Sequence, residues 1–132
     1  MPIEKRDYSM KILIAEDDPT NQQIARVWLS RNGHSVTIVP DGQACVDRYC
    51  AESFDVVLMD IKMPVMTGIE AAVEIRRREN ANKASRIPII AITASAMTGD
   101  REEFLASGMD DYLAKPYRVR ELDIVLQRTC LN

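Results

Sequence analysis

The stretch Phe54-Asp-Val-Val-Leu-Met-Asp60 is a short, nearly continuous apolar run that ends on a carboxylate. Such a run is typical of a strand that is buried on both faces of a parallel sheet. Three further apolar runs are each followed directly by a polar residue: Lys11–Ala15 by Glu16, Ile87–Ile92 by Thr93 and Tyr112–Ala114 by Lys115. Because the carboxyl ends of parallel strands share one edge, where open α/β folds bind their ligands, we expect these polar side chains to form one site.

Longer amphipathic segments lie between the apolar runs. This alternation predicts βαβ units, in which helices cover both faces of a parallel sheet. The predicted strands are at about 11–15, 36–39, 54–59, 87–92 and 109–114. The predicted helices are at about 19–32, 42–51, 68–79, 98–107 and 119–131. The sequence therefore predicts a single α/β domain with a doubly wound sheet.

Local signals mark the starts of three of these helices. Asp18 is expected to cap the first helix, with Pro19 at its first position. Thr67 and Glu70 are expected to form a capping box before the third, and Thr98 to cap the fourth.

The spacing of apolar residues predicts which side of a helix faces the core. On the first helix these residues are Ile24, Val27 and Trp28. On the last helix they are Val119, Leu122, Val125 and Leu126. The polar segment 80–86 is expected to be a flexible loop.

The composition is that of an ordinary globular chain. Its 132 residues, 46% apolar and 28% charged, suffice for one domain with one core. A net charge of −3 argues against nucleic acid as the main partner. The only local basic cluster, Arg76-Arg77-Arg78, is interpreted as the cationic end of a helix.

The apolar runs are too short to span a membrane, so no membrane contact is expected. We expect the domain to occupy residues 10–132, and residues 1–9 to be a polar tail or the stub of a linker.

Cysteine and histidine do not supply a metal centre in this sequence. The three cysteines, Cys45, Cys50 and Cys130, show no disulfide framework, which favours reduced thiols and a cytoplasmic setting. The single histidine, His34, lies in a turn and is expected to be solvated. A zinc site or a nucleophile–histidine pair is therefore not predicted.

The residue types at the strand ends suit a divalent cation and a phosphoryl group. The carboxylates of Glu16, Asp17 and Asp60 would repel each other without a hard cation, and Mg²⁺ prefers such oxygen ligands. Asp60 is also a possible nucleophile. The ammonium of Lys115 and the hydroxyl of Thr93 would neutralise charge on a transferred phosphoryl group.

Each of these residues also has an ordinary interpretation when it is taken alone. The segment Glu16-Asp17-Asp18-Pro19 could be no more than a helix start with favourable acids. Asp60 could be a turn residue, and Lys115 could be solvated. The functional interpretation depends on their coincidence, since each of these polar residues directly follows an apolar strand.

With these residues in place, the chain resembles the receiver domain of two-component response regulators over essentially all of residues 10–131. Four motifs carry the resemblance: Ile-Leu-Ile-Ala-Glu-Asp-Asp-Pro (12–19), Val-Val-Leu-Met-Asp-Ile-Lys-Met-Pro-Val-Met-Thr-Gly (56–68), Pro-Ile-Ile-Ala-Ile-Thr-Ala (88–94) and Asp-Asp-Tyr-Leu-Ala-Lys-Pro (110–116). The resemblance implies a flavodoxin-like (βα)5 fold with strand order 2-1-3-4-5.

The resemblance also implies roles for the acids. Asp60 would accept a phosphoryl group from a histidine of a partner. Asp17, Asp60 and the backbone carbonyl of Lys62 would bind Mg²⁺, and Glu16 would act through water. Many members carry aspartate where this chain has Glu16, and the longer side chain suits a water-mediated contact.

Two further features follow from the resemblance. Thr93 and Tyr112 would be a switch pair that changes the face made by the fourth helix, fifth strand and fifth helix. The peptide bond between Lys115 and Pro116 would be cis.

The segment Asp18-Pro-Thr-Asn-Gln22 resembles receivers that are fused to hybrid histidine kinases. The expected partner is therefore a histidine kinase or a histidine phosphotransfer domain. The chain would be a monomer or weak dimer that accepts phosphate, not an enzyme that turns over a substrate.

Two rival functions stay open at the level of sequence. A haloacid-dehalogenase-like phosphatase has an Asp-x-Asp-x-Thr/Val pattern after its first strand, and Glu16-Asp17-Asp18-Pro19-Thr20 mimics that spacing, with Glu16 at the nucleophile position. A pseudo-receiver would use the same fold only for docking, but such domains usually lose an acid, the threonine or the lysine.

Overall fold

The computed structural model describes residues 9–94 and 98–130, with the backbone alone for Thr98 and Gly99. Strands and helices alternate along the described chain: β1 (Lys11–Ala15), α1 (Pro19–Arg31), β2 (Ser35–Val39), α2 (Gly42–Ala51), β3 (Val56–Asp60), α3 (Gly68–Asn82), β4 (Ile89–Thr93), α4 (Thr98–Ala106), β5 (Asp111–Ala114) and α5 (Val119–Cys130). The strands form one parallel sheet in the order β2-β1-β3-β4-β5. The predicted fold is confirmed.

The sheet separates two apolar layers. Alternate residues of the strands point to opposite faces, and the central strands β3 and β4 are buried along their whole length. One layer joins the sheet to α1 and α5, mainly through Ala25, Leu29, Leu122, Val125 and Leu126. The other joins it to α2, α3 and α4, mainly through Cys45, Val46, Ala72, Ile75 and Phe104.

Two strands, β3 and β4, end one residue later than the sequence predicts. β3 runs over Val56–Asp60 and β4 over Ile89–Thr93, so Asp60 and Thr93 are the last paired residues of their strands. Both side chains are therefore held by the sheet itself and not by a loop.

The predicted start signals of α1 and α3 are present. The Asp18 carboxylate accepts a hydrogen bond of 2.8 Å from the backbone N–H of Asn21. Thr67 and Glu70 exchange the two hydrogen bonds of a capping box. The predicted cap at Thr98 depends on a side chain that the structure does not describe. The predicted end of the last helix, at residue 131, also lies outside the described residues.

The predicted apolar face of α1 is wrong. Ala25 and Leu29 are buried, whereas Ile24 is 40% exposed and Val27 and Trp28 are only partly covered. Two neighbouring stripes of this helix are apolar, and periodicity alone does not choose between them. The sheet packs against the stripe of Ala25 and Leu29, so Ile24 and Trp28 lie nearer the surface.

Helix α3 is longer than predicted. It continues to Asn82 and ends at Lys83, which has a left-handed backbone (φ 54°). The buried carboxylate of Glu79 accepts hydrogen bonds from the guanidinium of Arg76 (2.8 Å) and from the backbone N–H of Ile87 (2.6 Å). The contact with Ile87 ties the end of the helix to the chain before β4, and the helix extends into a segment that we expected to be a loop.

The arginine cluster is not a cationic helix end. Arg77 and Arg78 both pair with Glu74, within the same helix, and these hydrogen bonds lower the pKa of Glu74 to about 2. Arg76 instead bridges to Asp110, 2.8 Å away, before β5. The cluster is therefore neutralised by acids, and none of the three lies in the last turn of α3.

His34 is buried, with 6% of its surface exposed, so the expectation of a solvated side chain is wrong. Its Nδ1 accepts a hydrogen bond of 3.1 Å from the backbone N–H of Met10. Burial lowers the pKa of His34 from its ordinary value.

The longest described helix, α3, has 15 residues, and no described helix combines the length and apolar character of a membrane span.

Candidate phosphoacceptor site

The polar residues that follow or end the strands line one cleft at the carboxyl edge of the sheet. The cleft has a volume of about 310 Å³. Its lining includes the predicted residues Glu16, Asp17, Asp60, Lys62, Thr93 and Lys115. The structure therefore brings together the side chains that the sequence places at the ends of β1, β3, β4 and β5.

Lys115 bridges two buried carboxylates at the centre of the cleft. Its Nζ lies 3.0 Å from Oδ2 of Asp60 and 3.2 Å from Oε1 of Glu16. Asp60 and Glu16 are each 6% exposed. Buried ions require close partners of opposite charge, and one ammonium serves both of these acids.

The pKa values of this cluster show competing effects. Burial raises the pKa of Glu16, and the charge of Asp60 adds to that rise, while the N–H of Asp18 and the ammonium of Lys115 oppose it. Burial alone would lower the pKa of Lys115, but its hydrogen bond to Asp60 and the charges of both acids raise it on balance. Lys115 is therefore held as a cation beside the two acids.

Three carboxylates are close enough to share a cation. Glu16, Asp17 and Asp60 each offer one oxygen, and these oxygens lie within 4.8 Å of one another. Such a set of hard oxygen donors, partly buried and partly open to solvent, fits Mg²⁺, which usually keeps several waters. Lys62 lines the same cleft, as its predicted role as a carbonyl ligand requires.

Gly68 fixes the backbone behind Asp60. A Cβ on Gly68 would meet the backbone carbonyl oxygen of Asp60, so only glycine allows α3 to start this close to the end of β3. The N–H of Gly68 donates a 3.0 Å hydrogen bond to the carbonyl of Ile61. Sequence reasoning treated Gly68 only as the first residue of a helix and did not assign this contact.

The predicted switch residues lie on neighbouring strands and on the same face of the sheet. Thr93 is buried at the end of β4. Ala91 pairs in register with Tyr112, so Tyr112 faces the same side as Thr93, two residues after Ala91. Tyr112 is partly buried against the core, and the Arg101 guanidinium lies 5.3 Å from the centre of its ring.

The loop after β5 completes the edge of the cleft. The peptide bond between Lys115 and Pro116 is cis. The N–H of Lys115 donates a hydrogen bond of 2.7 Å to the carbonyl of Thr93, which ties this loop to β4.

An apolar groove of about 390 Å³ adjoins the cleft and shares Glu16, Asn21, Ala94 and Lys115 with it. Its other walls are Ile24 and Trp28 of α1, and Pro116 and Tyr117 after β5. Sequence reasoning missed this groove because it assigned Ile24 and Trp28 to the core. The apolar stripe of α1 is instead an accessible surface beside Asp60.

A family model described as Response regulator receiver domain matches residues 12–127. The chain belongs to this family. The receiver domain is 42% identical over 126 residues to hybrid signal transduction histidine kinase I of Dictyostelium discoideum, with 91% of this chain and 7% of that protein covered. It is 41% identical over 122 residues to the sensor protein GacS of Pseudomonas syringae pv. syringae, with 92% and 14% covered. The chain thus spans 14% or less of the length of these two curated relatives.

Solved structures agree with this assignment. The receiver domain of the sensor histidine kinase PA1611 from Pseudomonas aeruginosa PAO1, crystallised with a magnesium ion in its active-site cleft, is 43% identical, with a TM-score of 0.84 and coverage of 95% of this chain and 100% of that chain. The receiver domain of the Saccharomyces cerevisiae response regulator Ssk1, in co-crystals with the histidine phosphotransfer protein Ypd1, is 31% identical, with a TM-score of 0.89 and coverage of 93% and 90%.

Proposed function

We propose that this receiver domain accepts a phosphoryl group on Asp60 from a phosphohistidine of a partner protein. The observation that carries the proposal is the contact between Lys115 and Asp60 in a cleft that also holds two further carboxylates. A buried nucleophilic carboxylate, a fixed ammonium and a cluster of cation ligands are the parts that phosphoryl transfer needs.

The chain's own residues account for the transfer step. A carboxylate oxygen of Asp60 attacks phosphorus, a P–O bond forms and the P–N bond to the histidine breaks. The electron pair of that bond stays on the imidazole nitrogen, which is then protonated from solvent. Lys115, already 3.0 Å from Asp60, is placed to pair with a phosphoryl oxygen, and the hydroxyl of Thr93 to donate to another.

We assign the cation site to Glu16, Asp17, Asp60 and the carbonyl of Lys62. When bound there, Mg²⁺ neutralises charge on the carboxylates and on the phosphoryl oxygens. The magnesium ion in the related PA1611 receiver domain supports this assignment.

Phosphorylation by a small donor tests the proposal directly. Incubation with phosphoramidate and Mg²⁺ is expected to add the mass of one phosphoryl group to the intact protein. Asp60→Asn is expected to abolish the gain, whereas Asp47→Asn, at an exposed acid on α2, is expected to preserve it. A wild-type protein that gains no mass would contradict the proposal and favour a pseudo-receiver that only docks.

Thermal unfolding tests the cation site separately. Three carboxylates with one ammonium leave excess negative charge in the cleft, so Mg²⁺ should stabilise the native state by mass action, by about 2.7 kcal/mol at a hundredfold excess over Kd. The Tm is expected to rise with Mg²⁺ and to fall again with EDTA. Asp60→Asn is expected to raise the Tm of the metal-free protein, since it removes one of the repelling charges.

We propose a histidine kinase or a histidine phosphotransfer domain as the phosphodonor, in the cytoplasm. The Dictyostelium relative is a hybrid histidine kinase, and the Ssk1 receiver domain crystallises with a phosphotransfer protein. The groove formed by Ile24, Trp28 and Tyr117 supports this proposal, because it offers a donor an apolar surface beside the cleft that contains Asp60. We place the domain at residues 10–132.

Two observations disfavour a phosphatase of the haloacid-dehalogenase type: the family to which the chain belongs and the hydrogen bonding of the Glu16 carboxylate. In that rival function Glu16 would be the nucleophile, but its carboxylate already accepts a hydrogen bond from the backbone N–H of Asp18. Turnover of a generic phosphoester is therefore expected to be negligible. Sustained turnover that survives Asp60→Asn would favour the phosphatase instead.

A further inference from the structure

The turn between β1 and α1 carries two of the three carboxylates that we assign to the cation site. Glu16 lies one residue beyond the last paired residue of β1, and Asp17 follows it before the helix starts. The N–H of Glu16 donates to the carbonyl of Val39 at 3.0 Å, so this end of the turn is tied to the sheet. The next peptide unit, between Glu16 and Asp17, carries the chain into Asp17, so its orientation bears on the position of the Asp17 carboxylate.

Gln22 holds that peptide unit from the first turns of α1. Its side-chain Nε2 donates a hydrogen bond of 2.6 Å to the backbone carbonyl of Glu16, six residues back along the chain. The backbone N–H of Gln22 donates to the carbonyl of Asp18 at 2.9 Å, so the side chain starts from a fixed helical position. The N–H of Asp18 also donates to the Glu16 carboxylate at 3.1 Å. Together these bonds fix both the Glu16 carbonyl and its carboxylate.

We propose that Gln22 is a positioning residue for the carboxylate cluster of Glu16, Asp17 and Asp60. Gln22 is neutral and contacts the backbone of a ligand residue, so it acts by orienting ligands and not by its charge. Outer residues of this kind commonly change metal affinity by about 10- to 100-fold when they are removed. The inference rests on the proposed Mg²⁺ site and adds to it a residue that contacts the backbone of Glu16.

The first experiment uses the metal-free protein. Gln22→Met keeps the length and neutrality of the side chain but removes the donor, so the carbonyl ¹³C resonance of Glu16 is expected to shift upfield. Gln23→Met is the matched control, because Gln23 is the next residue of the same helix and is exposed. An unchanged Glu16 carbonyl resonance in Gln22→Met would overturn the proposal.

The second experiment measures Mg²⁺ affinity by calorimetric titration of the wild-type protein and both variants. Gln22→Met is expected to raise the Kd for Mg²⁺ by roughly tenfold, and Gln23→Met to leave it unchanged. The Tm of the metal-free protein is expected to change little, because the net charge and apolar packing are preserved. Gln22→Ala replaces Gln22→Met if the latter does not fold.

The outcomes separate this inference from the proposed function. A wild-type protein that binds Mg²⁺, with the same affinity in Gln22→Met, would overturn the positioning role alone. A fall in Tm without a change in Kd would also overturn it, since Gln22 would then be purely structural. A wild-type protein that binds no Mg²⁺ would overturn the cation site of the proposed function and the inference with it.

Discussion

At the scale of single residues, Lys115 is the group whose role differs most from that of its neighbours. It contacts Asp60 and Glu16, yet it cannot be a cation ligand because an ammonium has no lone pair to donate. The geometry therefore separates two functions within one cleft. In the function that we propose, the acids hold the cation and Lys115 pairs with the phosphoryl group.

Lys115→Met is expected to slow phosphorylation by phosphoramidate by roughly a hundredfold, the usual cost of losing one donor to developing negative charge. Mg²⁺ binding should persist, because the three carboxylates stay in place. Trp28 lines the groove next to Glu16, so its fluorescence can follow the Mg²⁺ titration. The matched control is Lys11→Met, at the opposite end of β1, where the lysine also pairs with a glutamate. Near-normal phosphorylation of Lys115→Met would contradict this role.

His34 is expected to make stability depend on pH. Its folded-state pKa lies below the ordinary value of 6.5 because the side chain is buried. The unfolded chain therefore binds a proton more readily, and the stability that His34 contributes is present above pH 6.5 and is lost as the pH falls through the folded-state pKa. Between about pH 7.5 and pH 5.5, urea unfolding should show a larger loss for wild type than for His34→Gln, which does not titrate. Parallel pH profiles would show that His34 is not responsible.

At the scale of elements, local signals were sufficient for some predictions and tertiary contacts decided others. The capping box of Thr67 and Glu70 could be predicted because both partners lie within one helical turn. The extension of α3 could not, since it depends on Glu79 accepting an N–H from Ile87 across a loop. The face of α1 could not be predicted either, because two adjacent apolar stripes compete and the sheet accepts the one with Ala25.

The same distinction applies to the site. Glu16, Asp60, Thr93 and Lys115 could be predicted to converge because the ends of parallel strands share an edge. The groove and the contact behind Asp60 depend on how closely whole helices approach the sheet. The periodicity of apolar residues does not determine the distance between a helix and the sheet. The position of Tyr117 in the groove and the contact of Gly68 with Asp60 are therefore known only from the structure.

Gly68→Ala is expected to lower both stability and phosphorylation, because the added methyl group would clash with the backbone carbonyl of Asp60 and push α3 away from the end of β3. Gly42→Ala is a matched control, since its methyl group would meet the backbone carbonyl of Met66 and not Asp60. Both variants should have a lower Tm. At a temperature where both are folded, only Gly68→Ala should react more slowly with phosphoramidate. Equal rates in the two variants would show that the Gly68 contact affects folding alone.

At the scale of the whole molecule, the cleft and the face made by α4, β5 and α5 are connected through β4 and β5. The N–H of Lys115 bonds to the carbonyl of Thr93, and Tyr112 lies on the same face of the sheet as Thr93. Tyr112 in turn lies beneath the exposed Arg101 of α4. A change at Thr93 therefore has a short physical path to the surface of α4.

Binding of beryllofluoride with Mg²⁺, which mimics the phosphoryl group, is expected to use that path. Once the Thr93 hydroxyl is drawn toward the mimic, the ring of Tyr112 can turn inward into the vacated space and leave Arg101. Such a ligand shifts a two-state equilibrium only through contacts that differ between the states, and the bond to Thr93 is that contact. Backbone amides of Thr93 and of residues 100–117 should therefore move in NMR spectra, while residues 23–31 of α1 should move much less. The amides of Asp60→Asn should not shift in either region, because this variant lacks the carboxylate that binds beryllium. Comparable shifts in both regions of the wild-type protein, or none in residues 100–117, would rule out a switch that runs from Thr93 to Tyr112.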